Sequence, residues 1–175
     1  MIKNIILGTG YLSSSLNKNI KKSKVYSSTE FRKVLKKFNK KKNKINLIIN
    51  SFYSSKMLNN INSYNEFIKK SVSEVSEVFD EIDFRIINKI LYTSSSSVYG
   101  SLNNKINLKD KNNRSLYSSF KLSAESLIKN FCSQNKIDLY ICRLFNLYGP
   151  NDKFSIINKL LDAKKQNKKI SIYNK

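Results

Sequence analysis

The sequence contains no histidine, no tryptophan and only two cysteines in 175 residues. Without histidine, the chain cannot form a Ser-His-Asp triad, an HExxH metalloprotease site or a Cys₂His₂ zinc finger. Two cysteines are too few for a Cys₄ zinc site or for a disulfide framework. Any acid–base chemistry must therefore come from tyrosine, lysine, serine or carboxylate side chains.

Acidic residues are also scarce: 12 stand against 33 basic ones, which gives a net charge of +21. A charge of this size is typical of nucleic-acid-binding proteins. However, only four of the basic residues are arginine, the residue that bidentate phosphate and base recognition favours. The same chain is rich in asparagine and isoleucine, which share A/T-rich codons with lysine. We therefore expect codon bias rather than a nucleic-acid partner, and keep a basic nucleic-acid binder as an alternative.

Long hydrophobic runs are missing as well, since no apolar stretch approaches the ~18 residues of a membrane span. The first 12 residues begin like a signal peptide but lack a small-residue cleavage site and are interrupted by Gly8 and Gly10. Cys132 and Cys142 stand in apolar contexts, as core thiols do. We expect no membrane partner and a soluble, reduced protein in the cytoplasm.

What the sequence does contain is an alternation of short apolar runs with helix-period segments. Strands are predicted over 3–7, 24–26, 45–50, 89–93 and 137–142, with a last strand beginning at 170–173. Helices are predicted over 11–20, from a cap at Ser28 or Thr29 to about 38, and over 64–79, 116–131 and 156–164. This order predicts one α/β domain: a doubly wound parallel sheet of the Rossmann type in three α/β/α layers.

A glycine motif lies directly after the first predicted strand and opens a helix. It reads Gly8-Thr9-Gly10-Tyr11-Leu12-Ser13, which is GxGxxG with serine in the last position. Gly8 allows a tight turn, and Gly10 allows a pyrophosphate to approach the helix N-terminus, where free amides attract anions. Ser13 is small enough for close helix–strand packing. The motif indicates dinucleotide binding, with a plain strand–turn–helix junction as the alternative.

The acidic residue that would hold an NAD ribose at the end of the second strand is missing. Ser27 and Ser28 occupy that place, and Glu30 has the right sequence distance but is expected inside the next helix. Three basic side chains nearby could instead meet the 2′-phosphate of NADP: Lys22, Lys24 and Arg32. The choice between NAD and NADP therefore stays open.

Three further clusters carry polar side chains. Tyr117 and Lys121 are four residues apart on one predicted helix, so a nearby cation can lower the pKa of the tyrosine toward that of a useful base. Residues 92–100 read YTSSSSVYG at the end of a strand, and residues 143–150 read RLFNLYGP at the end of the next. Ligands of open α/β sheets bind at such strand ends. In the same order, the alternatives for the three clusters are a surface Tyr-Lys pair, a serine-rich loop without function, and a polar strand exit.

In their order and spacing, these motifs are similar to those of a known family. GTGYLS, YTSSSSVYG, YSSFK with Ala124-Glu125 following, and RLFNLYGP together resemble the extended short-chain dehydrogenase/reductases, the NAD-dependent epimerase/dehydratases of nucleotide sugars. The resemblance covers essentially the whole chain. It implies an NAD(P)-dependent enzyme that transfers hydride at a sugar carbinol or ketone, with NAD or NADP as cofactor and a nucleotide sugar as substrate.

The resemblance also implies roles for individual residues. Tyr117 would be the general base and acid, Lys121 would bind the nicotinamide ribose and depress the pKa of Tyr117, and Ser95 would hydrogen-bond the reacting oxygen. The implied cofactor contacts are Gly8, Gly10, Tyr11, Leu12, Ser27, Asn50, Ser51, Tyr117, Lys121 and Phe145. The implied substrate contacts are Ser95, Ser96 and Asn146.

The reaction type can be narrowed within the family. The 4,6-dehydratases carry an Asp-Glu pair where this chain has Ser96-Ser97, and hydroxyl groups cannot replace that acid and base. The resemblance therefore favours an epimerase or a reductase. The family pattern would continue beyond Lys175, so we expect a Rossmann domain over 1–175, in which 151–175 begin a substrate-binding lobe that is otherwise missing. A catalytically silent dinucleotide-binding module is the alternative.

The resemblance further implies a homodimer formed through the helix bearing Tyr117 and the helix before the serine loop. The candidate contacts are Val72, Val75, Phe79, Leu127 and Phe131. Ordinary core packing against the sheet is the alternative for these side chains.

Overall fold

A computed structural model describes residues 2–53, 57, 62–100, 115–150, 152 and 155–169. The chain divides into two compact units, Met1–Leu144 and Phe145–Lys175. The strands of the first unit are β1 (Lys3–Leu7), β2 (Ser23–Tyr26), β3 (Ile45–Ile49), β4 (Ile87–Ser95) and β5 (Asp138–Leu144). Its helices are α1 (Tyr11–Asn19), α2 (Phe31–Lys41), α3 (Tyr64–Ile68), α4 (Glu74–Glu81) and α5 (Leu116–Asn135). The second unit contains α6 (Ile156–Lys165).

The five strands form one parallel sheet in the order β2-β1-β3-β4-β5, which confirms the predicted fold class. The chain moves from β1 to β2 in one direction and from β2 to β3 in the other. Because crossover connections are right-handed, α1 and α2 lie on opposite faces of the sheet. The direction of strand order reverses beside β1, and this is where open α/β sheets form a ligand-binding crevice.

The main core lies on the face that α2, α4 and α5 cover. Strand residues such as Leu7, Leu47 and Ile90 pack there with Leu35 of α2 and Ile128 of α5, and all five are fully buried. Because side chains alternate along a strand, the neighbouring residues of β1 and β3 project to the other face of the sheet. Burial on both faces explains why these strands read as continuous apolar runs rather than alternating ones.

Several helix boundaries differ from the sequence expectation. Neither Ser28 nor Thr29 caps α2: the helix begins at Phe31, and the Ser27 carbonyl accepts the amides of Glu30 and Phe31. The predicted helix over 64–79 is two α-helices joined by a π-helical segment, Lys69–Ser73, and it ends at Glu81. The predicted strand at 170–173 lies outside the described residues.

The described residues contain no helix with the length and apolar character that crossing a membrane requires. The same part of the chain holds no group of three or more Cys, Asp or Glu side chains placed to bind a metal ion.

Candidate active site at the carboxyl ends of the strands

The glycine turn after β1 is packed directly against the chain that leaves β3. Gly8 is buried with φ +92°, and a Cβ there would lie 2.4 Å from the Ser51 carbonyl oxygen. Only glycine satisfies both conditions. Gly10 has φ +134° but open space where its Cβ would stand, and α1 begins at the next residue. The helix N-terminus therefore has an uncrowded approach for an anion such as a pyrophosphate.

Ser13, in the place of the third glycine, does more than pack. Its side chain is fully buried, and its hydroxyl donates to the Gly8 carbonyl at 2.6 Å. The same hydroxyl accepts a hydrogen bond from Asn50 Nδ2 at 2.8 Å. A hydroxyl at this position thus fastens α1 to the glycine turn and to the end of β3.

The hydrogen bonds continue from Asn50 across the sheet to Lys121. Thr93 Oγ1 donates to Asn50 Oδ1 at 2.8 Å, and Lys121 Nζ donates to the Thr93 carbonyl oxygen, also at 2.8 Å. Ser13, Asn50, Thr93 and Lys121 are all buried. Their side chains therefore connect the anion-accepting turn to the lysine of the Tyr-x-x-x-Lys motif without passing through solvent.

The Lys121 ammonium group lies in a nearly closed, partly aromatic site. Its Nζ stands 4.9 Å from the Tyr92 ring centre and 5.6 Å from that of Tyr53, and it donates to Ser51 Oγ at 3.4 Å. Loss of hydration lowers the pKa of Lys121 to about 7, although the Glu125 carboxylate acts in the opposite direction. Near neutral pH, Lys121 can therefore exist both with and without its proton.

Tyr117 lies one helical turn before Lys121, in the first turn of α5. Ser115 caps this helix by accepting the Ser118 amide, so the tyrosine is placed by a regular helix start. The Tyr117 ring meets the Tyr53 ring edge to face, with centroids 6.0 Å apart. Tyr117 is half-buried. The structure thus brings Tyr117, Lys121 and Tyr53 together at one side of the crevice.

Sequence reasoning missed Tyr53, although its position just after β3 was a usable signal. Burial, and to a lesser extent the neighbouring Tyr117, raises the pKa of Tyr53 far above its ordinary value. Burial also raises the pKa of Tyr92 far above its ordinary value. Both side chains therefore stay protonated at neutral pH. The Tyr53 hydroxyl is enclosed beside Ser51 and Tyr117 and makes no hydrogen bond of good geometry within the described residues.

The serine loop begins where β4 ends. Ser95 is the last residue of that strand, and its hydroxyl accepts the Ser97 amide at 3.2 Å and the Ser97 hydroxyl at 2.9 Å. A 3₁₀ turn, Ser96–Tyr99, follows and packs against α5, the helix that carries Tyr117. Ser95 and Ser96 are both half-buried, so neither is sealed within the core.

A buried ion pair connects the elements that carry Tyr117 and the serine loop. Arg143 of β5 donates two hydrogen bonds to the Glu125 carboxylate of α5, at 2.9 and 2.8 Å, and its guanidinium group stacks 4.9 Å from the Tyr99 ring centre. Burial raises the pKa of Glu125, but the hydrogen bonds from Arg143 and Ser94, together with the positive charges of Arg143 and Lys129, outweigh it and keep the pKa below its ordinary value. The pair thus joins β5, α5 and the serine loop.

The remaining predicted residues lie at the expected element ends. Ser27 directly follows β2, and Tyr11 and Leu12 open α1. Phe145 and Asn146 belong to the second unit, where both are exposed. In that unit the Asn158 amide donates to the Gly149 carbonyl and fixes the turn before α6.

Several known proteins are similar to this chain in sequence or in fold. Residues 9–175 match the family model described as the NAD dependent epimerase/dehydratase family. One curated relative, dTDP-D-glucose 4,6-dehydratase of Dictyostelium discoideum, is 26% identical over 147 residues, which are 75% of this chain and 34% of the relative. The chain therefore spans about a third of that protein.

Two solved structures share the fold. UDP-N-acetylglucosamine 4-epimerase from Methanobrevibacter ruminantium M1, in complex with UDP-N-acetylmuramic acid, has TM-score 0.77 and 19% identity over 99% of this chain and 66% of its own. RMD from Pseudomonas aeruginosa, complexed with NADPH, has TM-score 0.71 and 18% identity over 96% of this chain and 64% of its own.

The family model matches almost the whole chain, and the resemblance inferred from four short motifs is confirmed at the level of the family. The parallel sheet and the glycine turn at its reversal point agree with that match. This chain belongs to the NAD dependent epimerase/dehydratase family, a family of enzymes.

Proposed function

We propose that this protein is an NAD(P)-dependent nucleotide-sugar epimerase or reductase, which acts at a sugar carbinol or ketone. The observation that carries the proposal is the placement of Tyr117 one turn from Lys121, whose buried amine is hydrogen-bonded through Thr93 and Asn50 to the glycine turn. A proton-transferring group and an anion-accepting turn thus share one crevice.

In this proposal the dinucleotide lies across the carboxyl ends of the strands. The α1 amides behind Gly10 would hold its pyrophosphate, and Asn50 and Ser51 would border the rest of it. When bound, the nicotinamide would supply hydride transfer to and from the sugar carbon. The neighbouring Lys121 would donate to the nicotinamide ribose, since its amine already lies beside Ser51 Oγ.

Tyr117 would move the proton of the sugar hydroxyl. The Lys121 ammonium group, one helical turn further along α5, would supply a positive charge on the same side of the helix. Ser95 would donate a hydrogen bond to the same sugar oxygen, with Ser96 contacting the rest of the substrate.

Water elimination is not part of the proposal, although the curated relative is named as a 4,6-dehydratase. The family resemblance implies that dehydratases need an acid and a base at the positions of Ser96 and Ser97. In this chain Ser97 donates its hydroxyl to Ser95, and neither serine can act as a carboxylate. We therefore retain epimerisation or ketone reduction.

A second candidate is a catalytically silent dinucleotide-binding module. The buried hydrogen bonds that join the glycine turn to Lys121 would serve dinucleotide binding without turnover equally well. The chain spans about a third of the curated relative and about two thirds of the matched structures. In either case we interpret residues 1–175 as a Rossmann domain in which 151–175 begin a substrate-binding lobe.

The proposal includes a homodimer formed through α4 and α5. Of the candidate contacts, Val75 is buried in the core, and Phe79 and Phe131 stack on each other with ring centres 4.2 Å apart. The outer surfaces of Val72, Leu127 and this aromatic pair would make the interface. A cytoplasmic location is also proposed, on the support of two free cysteines.

The test of function is a turnover assay on the purified 175-residue chain. NAD or NADP would be combined with UDP-, GDP- and dTDP-hexoses, with sugar interconversion and reduced nicotinamide as readouts. Tyr117→Phe should lower turnover at least about 10²-fold, the contribution typical of general acid–base catalysis. Tyr140→Phe, an exposed tyrosine on β5, should leave it unchanged.

Near-normal turnover by Tyr117→Phe would contradict the role of that residue. Saturable dinucleotide binding without turnover of any sugar would favour the silent module instead.

A further inference from the structure

The Lys121 amine is closed off from solvent, although it is the group that a ligand in this crevice would have to reach. The side chain is only 4% exposed. Within the described residues its Nζ donates to two acceptors, the Thr93 carbonyl oxygen and Ser51 Oγ. An ammonium group has three protons to donate, so one of them is left for a partner that enters from outside.

The neighbours of Lys121 differ in their own exposure. Thr93 and Tyr92 are buried, so they close the site on the side of the core. Ser51 and Tyr53 are only half-buried, and the Tyr53 ring centre lies 5.6 Å from Lys121 Nζ. The Tyr53 ring and the small Ser51 side chain therefore form the outer wall of the site.

Tyr53 has an unusual orientation for a side chain that reaches the surface. A tyrosine normally presents its hydroxyl to water or buries it with a hydrogen-bond partner. Here the hydroxyl is buried beside Ser51 and Tyr117 and makes no hydrogen bond of good geometry within the described part of the chain. A buried hydroxyl without a partner loses its hydration and gains no hydrogen bond in return, which disfavours this position of the ring.

Contacts of the ring compensate for that cost. The Tyr53 ring meets Tyr117 and Phe67 edge to face, with ring centroids 6.0 and 5.6 Å apart, and it lies beside the Lys121 charge. Rotation of the side chain toward solvent would give up these contacts, hydrate the Tyr53 hydroxyl and expose the Lys121 amine. Because these gains and losses are of similar size, the covered and uncovered positions are close in free energy.

We propose that the Tyr53 side chain is a gate over Lys121, which rotates outward to admit a ligand to the amine. The inference rests on the proposed function only in identifying that ligand as a nicotinamide dinucleotide. The hydroxyl favours opening, because it regains water when the ring turns outward. The aromatic contacts with Tyr117 and Phe67 favour closure when the crevice is empty.

Two variants should act on this gate in opposite directions. Tyr53→Phe keeps the ring but has no hydroxyl to hydrate, so the closed position should become about tenfold more favourable. Tyr53→Ala removes the ring, so Lys121 should be permanently uncovered. A fixed wall predicts no effect of Tyr53→Phe on access to Lys121, because the hydroxyl that this variant removes has no hydrogen bond to lose.

The first test is acetylation of the purified chain with sulfosuccinimidyl acetate at about pH 9.5, where hydrated amines are partly neutral. Mass spectrometry would give the labelling of Lys121 relative to Lys33, which is exposed on α2. We expect Lys121 to be labelled about tenfold more slowly in Tyr53→Phe than in the wild type, and at least tenfold faster in Tyr53→Ala. Tyr140→Ala is the matched control and should label as the wild type does, since Tyr140 is an exposed tyrosine whose ring lies 5.7 Å from another lysine, Lys89.

Equal labelling of Lys121 in the wild type and Tyr53→Phe would overturn the gate. So would a wild-type Lys121 that stays unlabelled after Lys33 has reacted fully, because the cover would then not open. The thermal midpoint of each variant shows whether it is folded. Tyr53→Phe fills the same space as the tyrosine, so it keeps the test decisive even if Tyr53→Ala unfolds.

The second test measures the association rate of NADH by stopped-flow fluorescence. Tyr53→Phe should bind NADH about tenfold more slowly than the wild type, because the uncovered position is populated less. NADH binding at equal rates in these two proteins would overturn the gate alone. The expected order of Lys121 labelling without any NADH binding would overturn the proposed function and leave the gate supported.

Discussion

Burial of Lys121 costs free energy of folding, and the same burial perturbs the pKa of its amine. Its charge is desolvated by the rings of Tyr53 and Tyr92, and the hydrogen bonds to Thr93 and Ser51 replace only part of its hydration. Such groups are concentrated at functional sites, where a perturbed pKa is useful. A lysine that titrates near neutral pH can change the charge beside Tyr117 at the pH at which an enzyme works.

This burial predicts an unusual pH dependence of stability. The folded pKa of Lys121 is about 7, and the unfolded one is ~10.4, so between these values the unfolded chain binds more protons and stability rises with pH. From pH 7 to 9, urea unfolding should show the wild type gaining about 2 kcal/mol relative to Lys121→Met. The exposed Lys33→Met variant should follow the wild type. Parallel curves for wild type and Lys121→Met would contradict the burial of a charged amine.

Ser13 allows a second test at the level of one atom. Removing its hydroxyl leaves the buried amide of Asn50 without its acceptor and frees the Gly8 carbonyl. Ser13→Ala should therefore lower the free energy of unfolding by about 1–3 kcal/mol. Ser14→Ala, on the exposed side of the same helix, serves as the control. If the two variants were equally stable, Ser13 would be acting only as a small residue.

At the scale of elements, the Glu125–Arg143 pair brings three of the sequence motifs into contact. The glutamate follows YSSFK, the arginine begins RLFNLYGP, and Tyr99 belongs to YTSSSSVYG. Their contacts join α5, β5 and the serine loop at the edge of the sheet. These residues stand inside functional motifs, but their contacts hold the elements of the site together rather than take part in its chemistry.

Breaking this pair should therefore be costly. Glu125 is 1% exposed, and its removal leaves a guanidinium group that is itself only 15% exposed. Arg143→Met or Glu125→Gln should each cost about 3 kcal/mol in chemical unfolding, and the double variant should cost less than the sum. Arg85→Ala breaks a pair with Asp83 in which the arginine side chain is 76% exposed, and should change little. Strict additivity in the double variant would contradict a direct interaction.

Much of the element pattern could be predicted from periodicity alone. The strand 45–49 is apolar at nearly every position, and such a run between two helix-period segments has few other interpretations. The π-helical segment Lys69–Ser73 could not be predicted, because its residues continue the helical pattern of the segments on either side. The start of α2 could not be predicted from a capping serine or threonine, because Glu30 precedes the helix and no side chain caps it.

Local motifs were enough to predict which candidate side chains share one element, but not which residues from distant segments meet. The spacing of Tyr117 and Lys121 on one helix follows from four residues per turn. The contact of Tyr53 with both of them, and the chain from Ser13 to Lys121, joins segments more than 25 residues apart. The position of Tyr53 just after β3 indicates that it lies at the strand ends, but it does not specify which side chains it meets there.

At the scale of the whole molecule, the charge of +21 shapes association rather than fold. The purified chain should bind duplex DNA weakly, and raising the salt from about 50 to 200 mM should remove this binding. Because the glycine turn and Lys121 lie in a crevice of the sheet, excess DNA should not displace a bound dinucleotide. Displacement by DNA in fluorescence competition would instead favour a nucleic-acid-binding function.

The central claim is that the carboxyl ends of these strands bind a nicotinamide dinucleotide. The most direct measurement is a fluorescence titration of the purified chain with NADH, repeated with Gly10→Ala, whose Cβ would enter the space open to the pyrophosphate. We predict saturable binding of one NADH per chain, displaced by NAD and weakened at least tenfold in Gly10→Ala. Absence of saturable binding, or equal affinity in the two proteins, would contradict the account.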